Sequence, residues 1–181
     1  MAKTTEKGDF LTRDELQTLL IEAIRLKEVT RAGWVRAGVE QPESVAAHSW
    51  GVAWLVLVLS PEKINRDRAV SIAVLHDLAE VHAGDITPHD GISHGEKKHR
   101  EAQAIDELFK KRPELSDLHA LWQEYVTGES PEARFVKACD KLDMALQAKR
   151  YAKIDETLDL KEFIDSALAK LEGSELIELV D

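Results

Sequence analysis

The sequence predicts a single all-α domain. Apolar residues recur at helical spacing along almost the whole chain, and no segment shows a convincing strand alternation or an internal repeat. Capping-box pairs, glycines and prolines divide this pattern into segments of helix length with short connections between them. A chain of 181 residues is long enough for one sizeable core. We therefore expect one helical bundle spanning residues 1–181.

The first half of the chain predicts three helices. Thr12 and Glu15 form a capping-box pair before "LQTLLIEAIRLKEV", the first helix. The segment "TRAGWVRAGVEQPE", with two glycines and a proline, is predicted to be an irregular connector. The second helix, "SVAAHSWGVAWLVLVLS", is apolar enough to be buried and ends at Pro61. Asp67 is predicted to cap the third helix, "RAVSIAVLHDLAEVHA", which Gly84 ends.

The second half of the chain predicts a further set of helices. After the loop "GDITPHDGI", Ser93 and Glu96 repeat the capping-box spacing before "KKHREAQAIDELFKKR". A shorter helix around residues 117–126 and a long one over residues 133–153 follow. The tail, residues 158–181, is predicted to add one more amphipathic helix and a last turn that pack on the rest of the domain.

Charge and composition restrict the partners of this chain. A net charge of −10 argues against a nucleic-acid polymer or an acidic membrane, because such partners require a basic surface. It does not exclude a small anionic substrate, since a metal ion and a few arginines reverse the field locally. The longest apolar run, Val52–Leu59, is too short to span a bilayer. The N-terminus "MAKTTEKGDF" has no secretory pattern, and the single cysteine, Cys139, fits a reducing compartment, so we expect a cytoplasmic protein.

The segment "AVLHDLAEVHAGDITP" places His76, Asp77 and Glu80 in an otherwise apolar helix. Adjacent helical residues diverge by about 100°, so His76 and Asp77 meet only at a point in the crevice between their directions. Such a point suits a metal ion, and imidazole with carboxylate suits a borderline divalent cation such as Mn²⁺, Fe²⁺, Co²⁺, Ni²⁺ or Zn²⁺. Two ligands are too few. The best candidates on other helices are His48 and Asp140, which both lie in apolar segments.

Each of these residues also has an ordinary structural explanation. A lone histidine on an apolar helix is more often a hydrogen-bonded core residue, and a lone buried aspartate is more often a cap or an ion-pair partner. Their joint occurrence favours the metal. Burying several such groups without compensation costs several kcal/mol, and one cation removes that cost for all of them together.

The order of one histidine, a histidine–aspartate pair and a distant aspartate resembles the signature of the HD-domain metal-dependent phosphohydrolases. Four blocks are more specific: "GWVRAGVEQPESVAAHSW", "LHDLAEVHAGDITP", "EKKHREAQAI" and "SPEARFVKACDKLDMALQA" resemble the HD-domain 5′-deoxynucleotidase family. The resemblance runs from about Arg31 to Tyr151. It implies an HD-type helical bundle that removes phosphate from deoxyribonucleoside 5′-monophosphates with one divalent metal ion: Mn, Co, Fe, Ni, Zn or Mg.

The resemblance also implies roles for individual residues in catalysis. The metal ligands would be His48, His76, Asp77 and Asp140, and the catalytic carboxylates would be Glu80 and Asp85. Glu80 follows His76 by one helical turn, on nearly the same face. Its carboxyl group would therefore orient the attacking water or protonate the leaving 5′-oxygen.

A second set of residues would bind the substrate by the same resemblance: Arg31, Trp34, Arg36 and Glu124, with Trp34 beside the sugar and base. In some family members an arginine directly precedes this tryptophan, but here Gly33 takes that position. Arg31 and Arg36 therefore both remain candidates for binding phosphate, and Arg31 is the first choice.

The sequence leaves three alternative functions open. Another HD-type phosphohydrolase, such as a nucleoside triphosphate pyrophosphohydrolase or a cyclic-nucleotide phosphodiesterase, would need more room and more basic residues beyond Arg31 and Arg36. A non-catalytic nucleotide-sensing HD module would be expected to lack a ligand or the acid. A structural dimerisation module would leave the buried ionisable residues unexplained.

The sequence predicts different environments for three of the tryptophans. Trp50 and Trp54 are spaced i, i+4 on the apolar second helix, so we expect them in the core. Trp34 lies in the connector, where we expect it to be exposed and functional. The apolar helices, together with the resemblance, predict a homodimer.

Overall fold

The computed structural model describes residues 11–109 and 112–180, and every regular element in them is a helix. Nine α-helices follow along these residues: α1 (Arg13–Ile24), α2 (Ala32–Arg36), α3 (Val45–Leu59), α4 (Arg66–Leu75), α5 (Glu80–Ala83), α6 (His94–Leu108), α7 (Ser116–Thr127), α8 (Pro131–Ile154) and α9 (Lys161–Leu171). A 3₁₀ turn, Glu175–Leu179, follows α9. The predicted all-α class is confirmed. The segment "MAKTTEKGDF", where no secretory pattern is predicted, lies outside the described residues.

α8 lies at the centre of the bundle. α3, α4 and α9 pack against it, and α7 contacts both α4 and α8. The main apolar core lies between these helices and includes Val52, Ile72, Val136, Leu142 and Leu171, which are fully buried. A second apolar cluster joins α1, α5, α6 and α7. No helix within residues 11–109 and 112–180 is long and apolar enough to cross a membrane.

Most helix ends follow local signals in the sequence. The Thr12 side chain accepts a hydrogen bond from the backbone N–H of Glu15, and the Glu15 carboxylate accepts one from the backbone N–H of Thr12. Gly84 ends α5 with a φ of 74°, in the region that favours glycine. One predicted cap is wrong by two residues. At the start of α4 the side chain of Asn65, and not that of Asp67, accepts the capping hydrogen bond.

The predicted third helix is two helices in the structure. α4 ends at Leu75 and α5 begins at Glu80, and in the turn between them backbone N–H groups bond three residues back instead of four. Nδ1 of His76 donates a hydrogen bond to the carbonyl of Ala73 at 2.7 Å. That carbonyl is the acceptor that the N–H of Asp77 would use in a continuous α-helix. His76 and Asp77 therefore lie in a bend.

The connector before α3 is partly helical, since α2 lies within it. An antiparallel bridge between Thr30 and Ser44 joins its two ends. Trp34 of α2 is 1% exposed, so the expectation of an exposed aromatic is wrong. Trp50 and Trp54 are 71% and 53% exposed, so their expected place in the core is also wrong. α3 carries apolar residues on every side, and its sequence therefore does not show which face packs.

Candidate metal centre

Three side chains meet at the bend between α4 and α5. His48 extends from α3, and His76 and Asp77 extend from the bend; one ligand atom from each lies within 4.8 Å of the other two. Nε2 of His76 is 3.1 Å from Oδ2 of Asp77, and Nε2 of His48 is 3.7 Å from the same oxygen. Because the bend interrupts the helix, two consecutive residues present ligand atoms to one point facing α3.

Asp140 of α8 joins this group from a third direction. Its Oδ1 lies 3.3 Å from Nε2 of His48. Its Oδ2 accepts a hydrogen bond from the hydroxyl of Tyr125 at 3.1 Å and pairs with Nζ of Lys141 at 3.0 Å. These two contacts hold the carboxylate so that its other oxygen faces the imidazole of His48.

The hydrogen bonds around the two imidazoles fit a bound cation. Nδ1 of His48 bonds to Asp143 and Nδ1 of His76 bonds to a backbone carbonyl, so both Nδ1 atoms are donors. Their buried Nε2 atoms have no hydrogen-bond partner. An imidazole that donates through Nδ1 presents a lone pair at Nε2, which is the form that binds metal. Two such nitrogens beside Asp77 and Asp140 suit a borderline divalent cation.

The carboxylates nearest the imidazoles are held in the ionised form. Burial raises the pKa of Asp77, but the charges nearby, that of His76 first, outweigh it and hold the pKa well below its usual range. Burial is likewise outweighed at Asp140 by Lys141 and His48, and the pKa of Asp140 is also held well below its usual range. Both residues are therefore negatively charged at neutral pH, as metal-binding carboxylates must be.

The position of His48 favours a positive charge. Burial and the nearby guanidinium of Arg31 lower its pKa, but the adjacent carboxylates of Asp140 and Asp143 outweigh them and raise the pKa to about 9. A cation at Nε2 would take the place of the proton that these carboxylates stabilise. The raised pKa of His48 and the chemistry of the donor atoms therefore both indicate a site for a cation.

Glu80 differs from the other acids of the site. It is buried at the start of α5, and its Oε2 has no hydrogen-bond partner. Burial and the charges of Asp77 and Asp85 raise its pKa well above the usual value for a glutamic acid. The site therefore contains one carboxyl group with a raised pKa beside carboxylates whose pKa values are lowered.

Arg31 lies next to this group of acids. Its Nη1 is 3.8 Å from Oδ2 of Asp77 and 3.9 Å from Oδ1 of Asp85. Asp85 also accepts a hydrogen bond at 2.7 Å from the backbone N–H of Ala32, which ties the loop after α5 to the start of α2. Asp85 thus holds the guanidinium of Arg31 in place.

A cavity of about 310 Å³ extends from Arg31 and Asp85 to α9. Its wall includes side chains from α2 and the residue before it, the loop after α5, α6, α8 and α9: Arg31, Trp34, Arg36, Asp85, His89, Lys97, Lys141, Met144, Glu162, Phe163 and Ser166. The volume is at the small end of the range for ligand pockets, which is about 300–1,000 Å³. The cavity therefore suits one small molecule whose charged end lies near Arg31.

Of the other three predicted substrate-binding residues, two line this cavity and one does not. Trp34 lines the cavity, and its indole N–H donates to Glu43 at 3.0 Å. Arg36 also lines the cavity and pairs with Glu162. The structure does not bring Glu124 to this cavity, because its carboxylate pairs with Arg68 and accepts a hydrogen bond from Ser130. We do not retain Glu124 as a substrate-facing residue.

Asp143 is a site residue that the sequence reasoning missed. Its Oδ2 accepts the hydrogen bond from Nδ1 of His48 at 2.7 Å, and this bond directs Nε2 towards Asp77 and Asp140. The spacing offers a signal, because Asp143 follows Asp140 by three residues and lies on the same face of α8. Carboxylates that hold a ligating imidazole in this way commonly accompany metal sites.

Gly51 makes room for Asp143. A Cβ atom at this position of α3 would lie 3.0 Å from Cγ of Asp143 and closer still to its Oδ1. Any larger residue would therefore push the carboxylate away from His48. The glycine is required by this approach of α8, and not by the backbone conformation of α3.

Two comparisons identify similar sequences. A family model described as HD domain matches residues 23–177. The chain is 41% identical over 159 residues to a protein of Bos taurus named 5′-deoxynucleotidase HDDC2, and the match covers 86% of this chain and 78% of that protein. It is 37% identical over 146 residues to 5′-deoxynucleotidase hdd1 of Schizosaccharomyces pombe, covering 77% of this chain and 74% of that protein.

Solved structures show the same arrangement of helices. A conserved hypothetical protein from Pyrococcus furiosus superposes with a TM-score of 0.76 at 34% identity, over 91% of this chain and 98% of that one. A predicted metal-dependent phosphohydrolase from Magnetospirillum magnetotacticum superposes with a TM-score of 0.72 at 27% identity, over 91% of this chain and 89% of that one.

Replacing Asp143 should weaken metal binding. In Asp143→Ala the imidazole of His48 loses the acceptor that orients it, so we expect metal affinity to fall by roughly 10- to 100-fold. Asp143→Asn keeps an acceptor without the charge and should lose less. Affinity for Mn²⁺ or Zn²⁺ is measured by competition with a chelator, without substrate. Asp106→Asn is the control, since Asp106 forms an exposed pair with His119. Equal affinities in wild type and Asp143→Ala would rule out the orienting role.

Gly51→Ala should also weaken metal binding, although alanine normally stabilises a helix interior by about 1 kcal/mol over glycine. Here the added methyl group displaces Asp143, so we expect roughly tenfold lower metal affinity and no rise in melting temperature. Gly95→Ala in α6 is the matched control, because a Cβ there meets nothing within 4 Å. If Gly51→Ala bound metal as tightly as wild type, the close approach would carry no function.

Proposed function

Because this chain belongs to the HD domain family, we propose that it is a divalent-metal-dependent 5′-deoxynucleotidase, which releases phosphate from deoxyribonucleoside 5′-monophosphates. The Bos taurus and Schizosaccharomyces pombe relatives with this name are 41% and 37% identical to the chain over 78% and 74% of their own length. One observation carries the proposal: two buried imidazoles present unpartnered Nε2 atoms to ionised carboxylates beside a cavity for one small molecule.

The proposed metal ligands are His48, His76, Asp77 and Asp140. When bound there, a divalent cation supplies Lewis-acid activation of a phosphoryl oxygen and of a water molecule. Borderline cations such as Mn²⁺, Co²⁺, Fe²⁺, Ni²⁺ and Zn²⁺ suit this nitrogen and oxygen donor set better than Mg²⁺, which prefers oxygen.

Glu80 is the proposed general acid. Its carboxyl group is buried, and its raised pKa favours the protonated form. A protonated Glu80 donates to the 5′-oxygen as the bond to phosphorus breaks, so the deoxynucleoside leaves as a neutral alcohol. A water oxygen bonds to phosphorus in the same step, and the proton that this water releases restores the acid for the next cycle.

Arg31 is the proposed phosphate-binding residue. Its guanidinium lies beside Asp77 and Asp85, the residue lines the cavity, and its planar fork matches two phosphate oxygens. Asp85 acts in this proposal by positioning Arg31. Arg36 also lines the cavity but pairs with Glu162 of α9 rather than with an acid of the candidate metal centre, so it is the less suitable candidate.

A monophosphate fits the cavity better than a triphosphate or a polymer. Arg31, Arg36, Lys97 and Lys141 line it, and each already has a carboxylate or carbonyl partner in the protein. Little positive charge is therefore left for additional phosphates, which argues against a triphosphate pyrophosphohydrolase. A non-catalytic sensor is also disfavoured, because the proposed ligands and the acid are all present. We further propose a cytoplasmic location, which the free thiol of Cys139 supports.

We also propose that the protein is a homodimer joined through α3. Its exposed side is an apolar stripe formed by Trp50, Trp54, Leu57 and Val58, and the two indole planes are within 6° of parallel. An apolar groove of about 610 Å³ lies beside this stripe, against α1. An uncharged helix face meets its own copy without repulsion, which favours a second copy of this chain over a charged partner.

The exposed apolar side chains of α1 and α4 enlarge this surface. Leu16, Leu20, Ile24 and Val74 are 43–55% exposed and line the groove together with Trp50. Homodimer interfaces are more apolar than the rest of a protein surface, so this is the kind of surface that a second copy covers.

The proposed activity is tested with a panel of deoxy- and ribonucleoside mono-, di- and triphosphates, each with Mn²⁺, Co²⁺ or Mg²⁺, by measuring released phosphate. We expect release from deoxynucleoside 5′-monophosphates. Glu80→Gln should bind metal like wild type and lose roughly 100- to 10,000-fold in kcat, because the glutamine amide has no acidic proton to transfer. Asp77→Ala should lose both metal and activity. Glu107→Gln, an exposed change on α6, is the control. No release from any monophosphate with any metal would contradict the proposal.

The proposed dimer is tested by light scattering of the purified protein. Wild type should have about twice the chain mass of 20.3 kDa. Trp50→Glu with Trp54→Glu should give a monomer, because the interface would then bury two like-charged pairs. Ile154→Glu, at an exposed apolar residue of α8, is the control and should stay dimeric. A wild-type protein that is monomeric at tens of micromolar concentration would exclude the dimer.

A further inference from the structure

The cavity is lined by two chemically different sets of side chains. Arg31 and Asp85 are charged, and Arg31 lies 3.8 Å from Asp77 of the candidate metal centre. Met144 of α8 and Phe163 of α9 are apolar and line the same cavity. A 5′-nucleotide combines the same two kinds of group, since it has a charged phosphate and a flat aromatic base.

Residues of α2 hold Phe163 in place. Its ring centroid lies 4.3 Å from that of Trp34, and the two planes are tilted by 36°. A Cβ at Gly33 would come within 3.0 Å of Cε1 of Phe163, so the glycine lets the ring approach α2. Trp34 is itself buried and hydrogen-bonded to Glu43. The phenyl ring is therefore a fixed wall of the cavity and is only partly buried.

Charged side chains from α2 and from the loop after α5 hold α9 beside the cavity. Arg36 of α2 pairs with Glu162 of α9, and its Cζ lies 5.8 Å from the centroid of Phe163. Nε2 of His89, from the loop after α5, is 3.8 Å from the same carboxylate. These contacts come from three separate parts of the chain, and they fix the position of the aromatic wall relative to Arg31.

We propose that Phe163, with Met144 beside it, forms the surface on which the nucleobase of the substrate lies. This inference rests on the proposed function, because it takes the substrate to be a nucleotide whose phosphate is at Arg31. A rigid aromatic ring that lines the cavity binds any base through stacking or edge-to-face contact. The base is thereby bound through contacts separate from those that bind phosphate.

The test compares a nucleotide with the same sugar phosphate lacking its base. Phe163→Leu keeps an apolar side chain of similar size but removes the aromatic face. We expect kcat/KM for 2′-deoxyadenosine 5′-monophosphate to fall by about tenfold, mainly through KM, because base–aromatic contacts contribute about that much to binding. The same variant should hydrolyse 2-deoxyribose 5-phosphate as well as wild type, because that molecule has no base.

Two further variants control this comparison. Phe163→Tyr keeps the ring and should retain wild-type values for both compounds. Phe135→Leu removes a half-buried phenylalanine of α8 that does not line the cavity, and it should change neither compound's kinetics. Equal losses on both compounds in Phe163→Leu would make Phe163 a structural residue only, and unchanged kinetics would remove it from the base site. Either result overturns the inference.

Binding separates this inference from the proposed function. Calorimetry measures the affinity of the same two compounds for the wild-type protein and Phe163→Leu, whether or not they are hydrolysed. Phosphate release fails if the proposed function is wrong. The inference instead requires that wild type binds the nucleotide about tenfold more tightly than the sugar phosphate and that Phe163→Leu loses this preference. Equal affinities in wild type would overturn it.

Discussion

The hydrogen bond between Nδ1 of His48 and Asp143 is the contact on which the site depends. It joins α3 to α8, the central helix of the bundle, and it determines which imidazole nitrogen faces the other ligands. Gly51 is needed so that the two helices approach closely enough to form it. A buried polar pair of this kind constrains the register of the two helices, because a shift of one residue would leave both groups unpaired.

The carboxyl groups around this hydrogen bond have different environments, and their chemistry differs as a result. Asp77 and Asp140 have cationic or imidazole neighbours that outweigh burial, so they stay ionised. Burial and the charges of two neighbouring carboxylates disfavour the ionised form of Glu80, so its pKa is raised. These three acids of one small site thus divide into two with lowered pKa values and one with a raised pKa.

The bend after α4 and the position of α9 complete the site. The bend lets His76 and Asp77 point to the same place, which an uninterrupted helix does not favour for adjacent residues. α9 packs on α8 and brings Phe163 to the cavity from a part of the chain beyond the motifs that indicated the family. The charged and apolar side chains that line the cavity therefore come from distant segments that only packing brings together.

The sequence by itself determined the helical class, several helix ends and which ionisable residues to propose for the candidate metal centre. These are local properties: spacing indicates a helix, capping side chains bond to nearby N–H groups, and a histidine in an apolar segment is conspicuous. Tertiary structure alone decided that Trp34 is buried while Trp50 and Trp54 are exposed, and that Glu124 pairs with Arg68 outside the cavity. The reason is physical. Periodicity shows which residues share a helix face, but the neighbouring helix decides which face it covers and which groups it brings within bonding distance.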